Sequence, residues 1–521
     1  WIDSTPLLVI SGQVKRSDMI GTSGVRQMGV QEVNIASMVQ PVTKYVVTVL
    51  NPRMIKYHLQ KAIYLATHGR KGPVWIDLPL DIQGCNIDEE ALPEFAPNDI
   101  IPEEISGIEV RKRAFIAAEM LSQAQRPVIL AGNGIRLCNA MEAFNELIQA
   151  VKAPVLLTWK AGDFLWEEHE LYCGKPGIIG QRGANFTQQN ADLLLSIGAR
   201  LDLCQVGHNY SNFARAAKKV VVDIDKHELF KIRTYVDVPA PVDAGVFINA
   251  MLNALDGMEI NDFSSWLAQC KEWQHKYPVV LGEHRQSREL VNPYYFFDVL
   301  SNLLKETDLI VPESSGISAE ITQQAFRLKQ GQRILNTPGL GAMGFGLPAS
   351  FGACLASGGR RTISIIGDGG LQHNIQELET IARLNLPLKI FVLNNNGYAS
   401  IRNMQRAHFK GNLVACDPSS GLTLPDTCKV ARAYGLATKK IDNQGNLVGE
   451  VADVLGREGT MICEVMIDPE VPTAPKMSSQ ALPDGRMVSK PMEDLWPFLN
   501  REELLSNMLI PSVEEWETLP V

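Results

Sequence analysis

The chain lacks most of what would tie it to a membrane, to nucleic acid or to a disulfide framework. Its nine cysteines, at 85, 138, 173, 204, 270, 354, 416, 428 and 463, stand singly, with no Cys-x-x-Cys pair. That pattern argues against zinc and disulfide scaffolds and predicts a reducing, cytoplasmic setting. No uncharged apolar run reaches the roughly 20 residues of a membrane span. No basic block or stripe stands out among 49 basic and 58 acidic residues, so no nucleic-acid partner is expected. There is no signal-peptide charge pattern either. Trp1 leads directly into the apolar run Pro6 to Ile10, which predicts that the chain begins inside a domain. What is present is a globular composition, 45 % hydrophobic and 21 % charged over 521 residues, with room for about three domains.

One grammar repeats along the chain: a short β-branched run, a glycine or polar turn, then a helical period. Strand candidates are Leu7 to Ile10 and Gly72 to Pro79, then Pro127 to Leu130, Ala153 to Leu157, Asp192 to Ile197 and Lys219 to Asp223. A third group comprises Asp308 to Val311, Thr362 to Ile366, Leu388 to Leu393 and Met461 to Ile467. Strands alternating with helical patterns predict parallel sheets built from βαβ units. The expected fold is therefore α/β, with three consecutive doubly wound parallel-sheet domains. Two seams divide them, a Pro- and acid-rich stretch and a polar, strand-free stretch with helical content over Phe263 to Trp273. The expected layout is a partial first domain over 1–92, a linker over 93–108 and a central domain over 109–258. A linker over 259–290, a third domain over 291–471 and a tail over 472–521 follow. In the tail, Pro483-Asp484-Gly485 predicts a turn, and amphipathic pieces surround Trp496 and Leu504.

The richest chemistry lies in the third block. Gly367-Asp368-Gly369 ends one apolar strand, and Asn394-Asn395 ends the next. An acid and an amide at neighbouring strand ends converge on the carboxyl edge of a parallel sheet, where ligands bind. Both are hard oxygen donors suited to Mg²⁺, which takes its remaining ligands from phosphates and water. The flanking glycines allow close approach of a diphosphate. Asp-Gly and Asn-Gly are also ordinary turn signals, and that reading stays open from spacing alone. His373 follows the first loop as a donor or proton relay, or as a structural histidine. Gly339-Leu340-Gly341-Ala342-Met343-Gly344 matches the G-x-G-x-x-G dinucleotide pattern, which is weak alone. It reads equally as close helix–sheet packing, or as a loop holding a flat cofactor with Met343 as an apolar prop. In the central block Gly132-Asn133-Gly134, Gly198-Ala199-Arg200 and Asp223-Ile224-Asp225 end three strands, where a nucleotide can bind. Arg200 suits phosphate and Asp225 ribose or adenine, although the same residues make ordinary loops.

Gly367-Asp368-Gly369 with Asn394-Asn395, preceded by Gly341 to Pro348, resembles the signature of thiamine-diphosphate enzymes, most closely their acetolactate synthase-like branch. The likeness covers nearly the whole chain. Ser11 to Val14 and Gly69 to Gln83 are similar to its pyrimidine-binding domain. Asp192 to Arg200 with Val221 to Asp225 is similar to its central FAD-binding domain. The resemblance implies decarboxylation of a 2-oxo acid, pyruvate, and ligation of the two-carbon unit to an acceptor, with branched-chain amino acid biosynthesis as the setting. It implies Mg²⁺ on Asp368, Asn395 and the carbonyl of Gly397. Diphosphate contacts would come from Gly369, Gly370, Gly316, Ile317 and Ser318, and Gly341 and Met343 would support the cofactor's bend. Gly132, Gly134, Arg200, Asp223 and Asp225 would hold FAD. Gln31 matches an active-site glutamine supplied across a subunit interface, so a homodimer or homotetramer is implied.

The chain departs from that pattern. The family's cofactor-activating glutamate would precede Trp1, so activity is expected to need upstream residues. Ser400 and Met404 stand where acetolactate synthases place methionine and tryptophan, and Val30 stands where they use phenylalanine. The tail motifs Leu482 to Gly485 and Glu493 to Leu499 resemble relatives from polysaccharide gene clusters. That raises a rival reading, acetyl-unit transfer from pyruvate to a keto-sugar nucleotide. A non-catalytic cofactor-binding subunit and a nicotinamide dehydrogenase are the remaining alternatives.

Overall fold

The computed structural model describes residues 1–99, 105–231, 235–286, 289–481 and 487–513. The turn expected at Pro483-Asp484-Gly485 lies outside them. The chain forms two compact units, Trp1–Ser106 and Gly107–Val521.

The first unit carries a three-stranded parallel sheet in the order β1-β3-β2, from Leu7–Gln13 (β1), Tyr45–Thr48 (β2) and Pro73–Pro79 (β3). The helix Ile55–Thr67 presses Ala62 and Ala66 onto Val74 and Ile76. Asp77, 1 % exposed, accepts hydrogen bonds from Ser11 Oγ at 2.7 Å and Thr48 Oγ1 at 3.2 Å. All three strands are thereby joined through one buried carboxylate.

The second unit holds two larger parallel sheets. The central one comprises Pro127–Ala131 (β4), Val155–Leu157 (β5), Leu193–Ile197 (β6), Lys218–Asp223 (β7) and Val238–Pro241 (β8), in the order β5-β4-β6-β7-β8. The other comprises Leu309–Pro312 (β9), Arg333–Ile334 (β10), Thr362–Gly367 (β11), Leu388–Asn394 (β12), Ala437–Ile441 (β13) and Met461–Met466 (β14), in the order β10-β9-β11-β12-β14-β13. Every residue of β4 and β6 is buried, as expected of strands covered on both faces. Each such Leu, Ile or Val contributes about 1.5–3 kcal/mol. Beneath the last sheet Phe296 meets Phe297 and Phe391 edge-on at 5.5 and 5.4 Å between ring centres.

The helix Ser264–Lys276 packs into the central core through Trp266, Cys270 and Trp273. It lies against the helix Arg182–Gln189, in which every residue is buried although most are polar. Buried polar groups need partners, and here the far end of the chain supplies many of them. Arg182 donates to the carbonyls of Leu495 and Pro497, Asn185 to that of Met492, and Gln189 to the Glu493 carboxylate. Just beyond the helix, Asn190 donates to the carbonyl of Asn507. The tail is thus part of the central core. It carries an antiparallel pair of short strands, Ser479–Ala481 with Met487–Ser489, and a helix, Arg501–Ser506. The segment around Trp496 is extended, its backbone exchanging hydrogen bonds with Lys476.

Candidate active site

In the last sheet the strand order reverses between β9 and β11, and the crevice beyond such a reversal is where doubly wound folds bind ligands. A helix starts directly after each strand, Gly316–Ala325 after β9 and the single turn Asp368–Leu371 after β11. Their N-cap residues, Ser315 and Gly367, make no side-chain capping bond. At Gly316–Ala325 the first N–H groups therefore remain for an anion, whereas in the turn Asp368–Leu371 the N–H of Gly369 is taken by the Asp368 carboxylate. Gly316 takes φ +69°, and a Cβ built on it would lie 3.9 Å from Ser400 Oγ. The helix Ala399–His408 thus approaches the Gly316–Ser318 segment. Ser318 is buried and Ile317 partly so.

Asp368 is 3 % exposed. One carboxylate oxygen accepts from Gly369 N at 2.9 Å and the other from Gly397 N at 3.0 Å, tying the loop after β11 to the loop after β12. Burial pushes its carboxyl up to about 6, against the pull of these donors. Asn395 is also buried, and its Oδ1 has no hydrogen-bond partner. Such an orphaned oxygen costs about 1–3 kcal/mol. A hard divalent cation would answer both features, offsetting the desolvated carboxylate and taking the amide lone pair. The donor set fits Mg²⁺. Gly397 is held at φ +136°, where a Cβ would fall 2.2 Å from the carbonyl oxygen of Cys416, so no other residue fits that turn.

Around this loop the glycines leave room that side chains border. A Cβ on Gly369 would meet the Tyr398 ring at 2.3 Å and the Met343 methyl at 3.4 Å. Gly370 faces the Glu313 carboxylate in the same way, at 2.9 Å. Met343 is 37 % exposed, on a turn whose Gly341 and Gly344 take φ +63° and +90°. That turn lies on the irregular connection between β10 and the helix Gly346–Ala356, not at a strand-to-helix junction. The G-x-G-x-x-G letters therefore lack the setting of a dinucleotide fingerprint. His373 is exposed, and its Cβ lies against Gly344.

The buried carboxylate of Glu313 was not legible beforehand. It follows β9 and accepts hydrogen bonds from Ser314 N at 3.1 Å, Phe345 N at 3.0 Å and Gly346 N at 3.2 Å. Nothing in its local sequence marks an acid whose partners lie some thirty residues away. The only available signal was an acid next to a strand end at a sheet edge.

The other candidates belong to the first unit and to the central sheet. Gln31, in the first unit, is exposed and takes φ +66°. In the central sheet the order reverses between β4 and β6, and Gly132, Gly134 and Gly198 meet there. Gly132 N donates to the Ile197 carbonyl at 2.9 Å and Gly134 N to that of Gly198 at 3.0 Å. A Cβ on Gly132 would fall 2.2 Å from Ala199 Cα. Arg200 pairs with Asp202, Asp223 accepts from Asp225 N, and Asp225 caps the following helix through His227 N. This edge is made of bare backbone with one cation and several carboxylates beside it. That donor set fits a nucleotide cofactor whose hydroxyls need acceptors.

Comparison with known proteins gives the same outline. Residues 314–465 match the family model described as thiamine pyrophosphate enzyme, C-terminal TPP binding domain, and residues 116–251 match the thiamine pyrophosphate enzyme central domain. The chain is 30 % identical over 470 residues to the acetolactate synthase isozyme 1 large subunit of Escherichia coli, covering 90 % of this chain and 79 % of that protein. It is 30 % identical over 478 residues to a probable acetolactate synthase large subunit of Methanocaldococcus jannaschii, covering 90 % and 78 %. Against acetolactate synthase 1, chloroplastic, of Zea mays the figures are 30 % over 508 residues, covering 94 % and 76 %.

Proposed function

Because the chain belongs to the thiamine pyrophosphate enzyme family, in its acetolactate synthase-like branch, we propose that it decarboxylates pyruvate and joins the two-carbon unit to an acceptor. The observation that carries this reading is the buried Asp368 beside the orphaned oxygen of Asn395. Thiamine diphosphate, Mg²⁺ and FAD are cofactors of this family, and bound thiamine diphosphate supplies the electron sink that a 2-oxo acid needs to lose CO₂.

The chain's own residues divide the remaining work. Asp368, Asn395 and the Gly397 carbonyl would hold Mg²⁺. Gly369 and Gly370, with Gly316, Ile317 and Ser318, would contact the diphosphate, Gly369 by close approach of its backbone because its N–H is held by Asp368. Met343 would support the cofactor's bend from the turn begun by Gly341, and Gln31 is a proposed active-site glutamine. His373 is a proposed proton relay, a role its exposure supports less well. Gly132, Gly134, Arg200, Asp223 and Asp225 would hold FAD, with Arg200 shared between Asp202 and a phosphate. Among the described residues no helix is long and apolar enough to cross a membrane. A cytoplasmic enzyme acting as a homodimer or homotetramer is the proposed setting, and nine unpaired thiols suit it.

A second reading has one observation in its favour. Ser400, small and exposed, lies near Gly316, and Met404 is 42 % exposed. Small or flexible side chains there leave room for an acceptor larger than a keto acid, such as a keto-sugar nucleotide. Assaying the full-length protein with thiamine diphosphate and Mg²⁺ on pyruvate alone, then with a 4-keto-sugar nucleotide added, separates the two. Acetolactate from pyruvate alone supports the first reading, and product only with the sugar supports the second. No CO₂ released in either assay overturns both.

A further inference from the structure

We propose that Glu313 and Ser314 are positioning residues that set the height of Met343 over the metal loop. This rests on the reading of Met343 as the support of the bent cofactor.

The turn carrying Met343 is fixed on both sides by this one pair of residues. Before Met343, Ser314 Oγ donates to the carbonyl of Ala342. After it, one oxygen of Glu313 accepts from Phe345 N and Gly346 N. A third tether comes from Asn374, whose side chain donates to the Gly344 carbonyl at 2.8 Å. Gly341 and Gly344, both at positive φ, would otherwise leave this turn free to move, because glycine has many conformations to lose. The second oxygen of Glu313 is buried, has no hydrogen-bond partner and lies next to Gly370. The same carboxylate therefore touches both the Met343 turn and the diphosphate loop. Burial raises its pKa above the usual carboxylate range, in keeping with that enclosed position.

A simpler role is available, since Glu313 also supplies the cap that Phe345 does not give the helix Gly346–Ala356. A cap alone predicts lost stability with unchanged chemistry in the molecules that remain folded. Positioning predicts the reverse, because a displacement of about 1 Å at a reacting group can cost about a hundredfold in rate.

The experiment compares Glu313→Ala, Glu313→Gln, Ser314→Ala, Met343→Ala and the double variant Glu313→Ala/Met343→Ala in the full-length protein. Three properties are measured. They are thiamine diphosphate affinity with Mg²⁺ by tryptophan-fluorescence titration, the near-ultraviolet circular dichroism of the bound cofactor, and turnover per cofactor-loaded site. Glu313→Ala is expected to lower turnover about a hundredfold and change the dichroism, with affinity shifted only a few fold. Glu313→Gln keeps an acceptor for the two N–H groups and should recover most of the loss. Ser314→Ala should show a smaller loss of the same kind, and it carries the test if Glu313→Ala does not fold. The double variant should be no worse than Met343→Ala, since the two residues act as one unit. Losses that multiply in the double variant, or Glu313 and Ser314 variants with normal dichroism and turnover per loaded site, overturn the proposal. Should Met343→Ala itself behave like the unaltered protein, the reading of Met343 fails, and the proposal fails with it.

Discussion

The two sheets of the second unit reverse their strand order in the same way, yet their crevices differ. Beyond β11 and β12 the Asp368 carboxylate joins the two loops through Gly397 N, yet the Asn395 oxygen keeps no partner, and the helix after β9 starts without a side-chain cap. Between β4 and β6 the loops touch, and Gly132 and Gly134 bond directly to the backbone of Ile197 and Gly198. A glycine after a strand therefore has two separate physical causes. In one sheet it makes way for the Tyr398 ring and the Glu313 carboxylate, and in the other it lets two backbones meet.

The contrast breaks most readily at the metal loop. Asp368→Ala or Asn395→Ala should abolish Mg²⁺-dependent thiamine diphosphate binding in a calorimetric titration. Activity should fall by at least about a hundredfold, since even groups one layer behind a metal's ligands typically cost 10–100-fold. An unchanged affinity would remove the metal from this edge.

Gly132→Ala attacks the other edge. Its new Cβ would sit 2.2 Å from backbone atoms of Ala199 and Gly198, so the loops must part. A loss of about 1–3 kcal/mol or more is expected, read as a lower thermal midpoint. Thiamine diphosphate affinity of the folded fraction should stay the same.

The two edges should also differ with pH. The carboxyl of Asp368 titrates near 6 in the folded, metal-free chain, against 3.8 as its ordinary value. Between those values the folded state holds a proton that the unfolded state has released. The metal-free protein thus loses stability as pH rises through that window. Mg²⁺ must displace the same proton, so its affinity should weaken as pH falls below about 6 and level off above it. A titration series from pH 5 to 8 checks this, and a flat profile would contradict it. Arg200→Ala should have the smallest effect, lowering flavin content in the purified protein while leaving Mg²⁺ affinity unchanged.

Much of this architecture was legible because buried parallel strands are mostly apolar runs. Leu193 to Ile197, broken only by Ser196, and Leu388 to Leu393, broken only by Lys389, needed no further context. The strands that escaped notice are short or carry residues foreign to a buried strand. Val238–Pro241 holds two prolines and Ala437–Ile441 two lysines, and both lie at sheet edges where one side needs no partner. At the site, Asp368 and Asn395 were readable because each directly follows its strand. Glu313 was not, because its role is defined by N–H groups on a distant turn. The burial of a polar helix at 182–189 was equally hidden, since its partners come from the chain's far end.

That helix has a consequence for how the protein is made. Gln189 waits for Glu493, 304 residues later, and the Asn190 side chain for the backbone of Leu509, 319 residues later. While the ribosome is still producing the third sheet, the central core already contains amides and a guanidinium whose partners have not been synthesised. Contacts of such long range form late and slowly. The central domain therefore completes its folding only after the chain has been synthesised at least as far as Leu509.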